Sequence, residues 1–166
     1  HSHGIIHRDL KPSNIAMDIH DLPKLTGFNI STSIGDELDS EEHKIKGTPQ
    51  YLAPEIYTNQ AYSKASDVYS FGLVVYNIMT CNHPFDNFSI PKELKQAICD
   101  EGKRPEFVVP VAKVYRSLIE RCWSQDPKSR PTFDEILEEL KNNLNQLSKK
   151  ELKKNPQTKN QKSTKK

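Results

Sequence analysis

The sequence predicts an α+β fold, mainly α-helical, with a small β-hairpin near its N-terminus. Three observations carry this. Short apolar pieces broken by turn residues fill 1–31, the stretch 31–50 has no sustained periodicity, and from Ser63 onward the chain reads as a helical subdomain.

The elements follow in order. "GIIH" is a short apolar piece, and in "NIAMDIHDLPKLTGF" Ile15 and Met17 alternate with polar neighbours while "HDLP" supplies a turn, which predicts a hairpin presenting its flanking loops. Residues 31–50, rich in Ser, Thr, Asp and Glu, predict an exposed loop. "SKASDVYSFGLVVYNIMT" is apolar on nearly every side after Val68 and reads as a buried central helix, capped by Ser63 or Ser66. Its Gly72 costs about 1 kcal/mol of helix propensity relative to Ala, which close packing by a neighbour would offset.

"HPFDNFSIPKELKQAICDEG" predicts an extended loop and a short helix, with Ser89 and Pro91 at its start and Gly102 after its end. "AKVYRSLIERCW" places Tyr115, Leu118, Ile119 and Cys122 on one helical face. "RPTFDEILEELKNNLNQL" opens with Pro131 and the capping box Thr132-x-x-Glu135, then lines up Phe133, Ile136, Leu137, Leu140, Leu144 and Leu147.

The 166 residues, 34% hydrophobic and 28% charged, suit one domain or the larger part of one. Much of the polarity sits at the C-terminal end. Residues 148–166 hold eight lysines against Glu151, a net +7, so the formal +2 of the whole leaves 1–147 at −5. We therefore divide the chain into a domain over 1–147 and a Lys-rich tail over 148–166. The tail's composition fits a disordered, solvated segment; its charge would also attract nucleic acid or anionic lipid, without aromatic residues to read bases. Cys81, Cys99 and Cys122 are odd in number, widely spaced and lack a CxxC pair, which predicts reduced thiols in a cytoplasmic setting. No apolar run approaches the length of a membrane span. The chain starts at His1, inside what reads as a motif, and is expected to be a fragment.

Within eight residues, "HRDLKPSN" brings together Asp9, Lys11 and Asn14. A carboxylate can accept a hydroxyl proton, an ammonium can neutralise charge on a transferring phosphoryl group, and an amide oxygen can hold a divalent cation. The string closely resembles the catalytic-loop signature H-R-D-L-x-x-x-N of protein kinases, with the Lys and Pro of the serine/threonine type. "GTPQYLAPE" resembles that family's substrate loop, ending in Ala53, Pro54 and Glu55, while "SDVYSFGLVVYNIMT" and "CWSQDPKSRPTFDEI" resemble its central helix and the end of its large lobe. The Ser-Phe-Gly and Cys-Trp-x-x-x-Pro-x-x-Arg-Pro wording leans toward the tyrosine-kinase-like group or tyrosine kinases, and Lys11 and Thr48 tip it to serine/threonine.

The resemblance, over residues 1 to about 145, implies the C-terminal lobe of a kinase domain. It implies that Asp9 orients and deprotonates an acceptor hydroxyl, that Lys11 offsets charge on the γ-phosphate of ATP, and that Asn14 holds Mg²⁺ or Mn²⁺. His7 is implied to be structural and Arg8 to contact a phosphate or carboxylate in the following loop. Thr48 would approach Asp9 and Lys11 or serve as a loop cap. Asp67 would accept backbone donors of the catalytic loop, and Arg130 would pair with Glu55. A protein substrate or a protein partner is the implied ligand.

The departures are equally specific. Aligned on Phe28, the family's metal-binding Asp-Phe-Gly is Gly27-Phe28-Asn29, and glycine has no side-chain oxygen. Losing that ligand should cost several kcal/mol of transition-state stabilisation, roughly a factor of a thousand or more. No glycine-rich nucleotide loop, strand Lys or partner Glu is present. Hence two readings stand: a partial serine/threonine kinase domain inactive by itself, and a pseudokinase scaffold. The central helix is expected to lose a packing partner and expose an apolar face. Asp36, Glu37, Asp39, Glu41 and Glu42 either engage Arg8 or are solvated, and Ser31, Thr32, Ser33 and Ser40 are candidate phosphorylation sites.

Overall fold

The computed structural model describes residues 1–34, 45–59 and 62–154. Among them the strands are few and short: β1 (Ile5–Ile6), β2 (Ile15–Met17), β3 (Pro23–Leu25) and β4 (Thr32–Ser33). β2 and β3 form the expected hairpin, with Ile15 opposite Leu25 and Met17 opposite Pro23. Its turn is closed by Asp18, whose Oδ1 accepts the backbone N–H groups of His20 and Leu22 at 2.8 and 3.0 Å. β1 pairs antiparallel with β4, Ile5 opposite Ser33 and Ile6 opposite Thr32, a pairing the sequence pattern did not announce. Both flanks of the hairpin are thereby drawn back to one place, the segment His7–Asn14.

The helices are α1 (Pro54–Asn59), α2 (Lys64–Thr80), α3 (Pro91–Cys99), α4 (Lys113–Cys122) and α5 (Phe133–Lys154). Ser63 caps α2, and Ser66 reciprocates by accepting the Ser63 backbone N–H, so both serines serve in one capping box. Gly72 is there for space. A Cβ at that position would stand 2.7 Å from Cys122 Cβ, so α4 packs its Cys122 side chain directly against the Gly72 backbone of α2. Leu118, Ile119 and Cys122 of α4 and Val68, Tyr69, Leu73, Val74 and Tyr76 of α2 are buried, and Tyr115 is half-buried. α3 begins at Pro91 with Ile90 as its cap residue rather than Ser89, and Gly102 beyond its end takes φ +62°.

Two expectations shift. Of the apolar residues in α2 only Ile78 is exposed, because α4 and the 3₁₀ turns at Pro49–Tyr51 and Pro127–Ser129 pack around it. The hairpin carries a cluster of exposed apolar side chains: Ile19 is 93% and Met17 59% exposed, and Leu22, Leu25 and Phe28 are exposed as well. A two-stranded sheet has two faces, and among the described residues no third strand joins it. Secondly, α5 runs to Lys154, so the first residues assigned to the tail are helical, while 155–166 lie outside the described residues. His1–Thr132 form one compact unit and a second begins at Phe133; within the latter, Leu137 and Leu144 of the apolar stripe are exposed. The acidic residues from Asp36 to Glu42, Ser40 included, also lie outside the described residues.

Candidate functional site

Asp67, in the first turn of α2, fixes the start of the loop that follows β1. Its carboxylate accepts the backbone N–H groups of His7 at 2.8 Å and Arg8 at 3.0 Å, and meets His1 Nε2 at 2.9 Å. Burial pushes the Asp67 carboxyl above its ordinary value, against the pull of the two backbone hydrogen bonds. Arg8 is held at φ +70°, a left-handed conformation that costs a non-glycine residue roughly 1–2 kcal/mol. Its guanidinium lies 4.8 Å from the centre of the Tyr62 ring.

His7 is buried and fully employed. Nε2 donates to the Thr26 carbonyl at 2.8 Å, Nδ1 accepts the Asp9 backbone N–H at 3.3 Å, and the ring meets Phe28 edge-on at 4.9 Å. It therefore ties the catalytic-loop string to the Gly27–Phe28 segment.

Asp9, Lys11, Asn14 and Thr48 converge. Thr48 Oγ1 donates to Asp9 Oδ1 at 2.7 Å, and Lys11 Nζ donates to Thr48 Oγ1 at 2.7 Å while standing 3.1 Å from Asp9 Oδ2. Asn14 Nδ2 donates to the Asp9 carbonyl at 2.7 Å and to Asp9 Oδ2 at 3.0 Å. Burial alone would raise the Asp9 carboxyl; the hydrogen bonds from Thr48, Lys11 and Asn14 and the Lys11 charge outweigh it and hold it below its ordinary 3.8. At neutral pH Asp9 is thus ionised.

Thr48 reaches Asp9 because Gly47 can pass close by. Gly47 has φ +107°, and a Cβ there would stand 2.7 Å from the Arg8 carbonyl oxygen and 2.9 Å from a Leu52 methyl. Gly47, Tyr62 and His1 are site residues the sequence reading missed. Gly47 alone left a signal, standing next to Thr48 within the substrate-loop string. Tyr62 holds Lys46 from both sides, donating to its carbonyl and accepting its N–H, each at 2.7 Å.

A groove of about 420 Å³ opens beside this cluster, between Lys11 and Ser13 on one wall, Thr48 and Tyr51 on a second, and His83 and Asp86 on a third. Glu55 and Arg130, 75 residues apart, form a bidentate pair: Nη1 and Nη2 of Arg130 donate to the two Glu55 oxygens at 2.7 and 2.8 Å, and the guanidinium also reaches the Ser124 and Ala65 carbonyls.

A carboxylate, an ammonium at its side and a hydroxyl bridging them thus stand together beside an open groove in a mainly helical unit. The chain belongs to the protein kinase domain family, whose model matches residues 1–140. It is 35% identical over 136 residues to the dual specificity protein kinase shkC of Dictyostelium discoideum, covering 81% of this chain and 27% of that protein. To shkD of the same organism it is 36% identical over 138 residues, 81% of this chain and 18% of the relative. A probable serine/threonine-protein kinase of that organism matches at 34% over 142 residues, 86% and 9%. The chain thus spans well under a third of the length of these curated relatives.

The family uses ATP with a divalent metal, and the residues present here are a poor fit to the ion. Gly27 stands at φ +78° with no side-chain oxygen, and a Cβ on it would lie 2.5 Å from Asn14 Cγ and 2.6 Å from Asn14 Oδ1. Both Asp9 oxygens are engaged by Thr48, Lys11 and Asn14. Among the described residues no group of three or more His, Cys, Asp or Glu side chains gathers to hold a metal. One amide oxygen and one ion-paired carboxylate fall short of the octahedral oxygen set that Mg²⁺ demands. No helix among the described residues is long and apolar enough to cross a membrane.

Proposed function

We propose that this chain is the large-lobe part of a serine/threonine protein kinase domain of the tyrosine-kinase-like group, which seats a protein segment in the groove beside Thr48 and presents its hydroxyl to Asp9. Asp9 would accept the hydroxyl proton and Lys11 would offset charge on the phosphoryl group arriving from ATP, with Arg8, His7, Asp67, Glu55 and Arg130 as positioning residues. The observation that carries this reading is the Thr48 hydroxyl bridging Asp9 and Lys11 at 2.7 Å on each side, which puts acid-base and charge-neutralising groups at one point of the groove. By itself the chain is expected to be inactive or nearly so, since its residues supply one side of a nucleotide site.

A second reading, a pseudokinase that binds protein partners without transferring phosphate, is favoured by the Gly27–Asn14 geometry, which leaves the metal side of the site without a ligand set. The odd number and wide spacing of Cys81, Cys99 and Cys122 support an intracellular setting for either. The lysines of 148–166 as a polyanion tether rest on charge alone.

In a complete kinase domain that contains this chain, transfer of labelled phosphate from ATP, with Mg²⁺ or Mn²⁺, to a Ser/Thr protein substrate decides between the two. The kinase reading expects incorporation that Asp9→Asn reduces at least a hundredfold. Equal signal from the two proteins sinks it in favour of the scaffold.

A further inference from the structure

Asn14 has one amide nitrogen and one amide oxygen to place. The nitrogen is spent on Asp9, bonded at 2.7 Å to its carbonyl and at 3.0 Å to its carboxylate. The rest of the side chain lies where a substituent on Gly27 would begin, with Cγ, Oδ1 and Nδ2 all between 2.5 and 2.7 Å from an ideal Cβ at that residue. Real Cβ contacts do not occur at such distances, so either the amide moves or position 27 stays glycine. The charge is settled as well: Asp9 is matched by Lys11 at 3.1 Å, and the cluster of Asp9, Lys11, Asn14 and Thr48 is neutral overall.

We propose that Asn14 and Gly27 act as one unit, in which the Asn14 amide occupies the volume that a side chain at position 27 would take and closes the loop around the Lys11 ammonium in place of a divalent ion. Asn14 is then a positioning residue for Asp9 rather than a metal ligand. Restoring a carboxylate at 27 alone does not rebuild a metal site, because the new side chain meets Asn14 before it meets an ion. This holds whether or not phosphate is transferred, so the labelled-ATP result leaves it standing.

The test is a double-mutant cycle on the full 166-residue chain, comparing melting temperatures of the wild type, Gly27→Asp, Asn14→Ala and the double variant. Gly27→Asp is expected to lower the midpoint by several degrees, and the same substitution in the Asn14→Ala background to lower it by less than half as much. An equal loss in both backgrounds would assign the cost to the left-handed backbone alone and overturn the proposal.

Should Gly27→Asp not fold, the unsubstituted chain gives an independent readout. The side-chain amide resonances of Asn14 are expected to be protected from exchange and unbroadened by millimolar Mn²⁺. Selective broadening of that amide, while remote amides stay sharp, would show Asn14 serving an ion and refute the assignment.

Discussion

The Tyr69 hydroxyl is buried, and among the described residues no group stands within hydrogen-bond reach of it. Burial pushes its pKa up to about 12, and two guanidiniums stand over its ring, Arg104 and Arg130 at 5.2 and 5.0 Å from its centre. Leaving a buried hydroxyl unpaired costs about 1–3 kcal/mol, while the ring's contacts with the guanidiniums need no oxygen. Tyr69→Phe is therefore expected to stabilise the chain by about 1 kcal/mol, read as a higher urea midpoint at an unchanged slope. Asp9 gives the residue scale its pH dependence. Its folded pKa lies below 3.8, so its contribution to stability is fully present above that value and fades as pH falls through the folded one. The stability difference between wild type and Asp9→Asn should accordingly be flat from pH 8 to about 5 and shrink below about 4; a difference that grows on acidification would contradict the sign.

Between elements, the crossing of α2 and α4 sets two effects of Gly72→Ala against each other. Helix propensity favours Ala by about 1 kcal/mol, whereas overpacking a methyl 2.7 Å from Cys122 Cβ costs about 1–3 kcal/mol. The packing term wins, and the substitution is expected to lower stability by about 1 kcal/mol or more, measured by urea unfolding. Helix boundaries and caps were largely legible in the sequence because they depend on neighbours: Ser63 and Ser66 stand three apart, and Pro91 opens α3. Ser89, placed with Pro91 at the start of α3, stands one residue before the cap position, which is Ile90. The β1–β4 pair escaped notice since two residues per strand carry no period to detect.

Among the described residues, exposed apolar side chains gather on the hairpin, at Met17, Ile19, Leu22 and Leu25, with Phe28 next to it. A contiguous patch of this kind promotes association in water. Replacing Met17, Ile19 and Leu22 together by Ser is expected to reduce concentration-dependent light scattering while shifting the melting temperature by no more than a degree or two, since these side chains bury little. An unchanged scattering profile would place the association elsewhere.

By itself the sequence determined α2 to α5, the hairpin and the string His7–Asn14, because each is written in residues a few positions apart, while α1 and the β1–β4 pair left no such pattern and the missing carboxylate at Gly27 entered through family resemblance. Glu55 with Arg130, and Asp67 with the loop, entered through family resemblance, since nothing in spacing alone couples residues some sixty to seventy-five positions apart. Only the tertiary structure decided that α2 is covered and the hairpin bare, that Gly47 lets Thr48 reach Asp9, and that Asn14 fills the room left by Gly27. Those outcomes depend on which surfaces meet and how much volume lies between them, quantities that exist once the chain has packed.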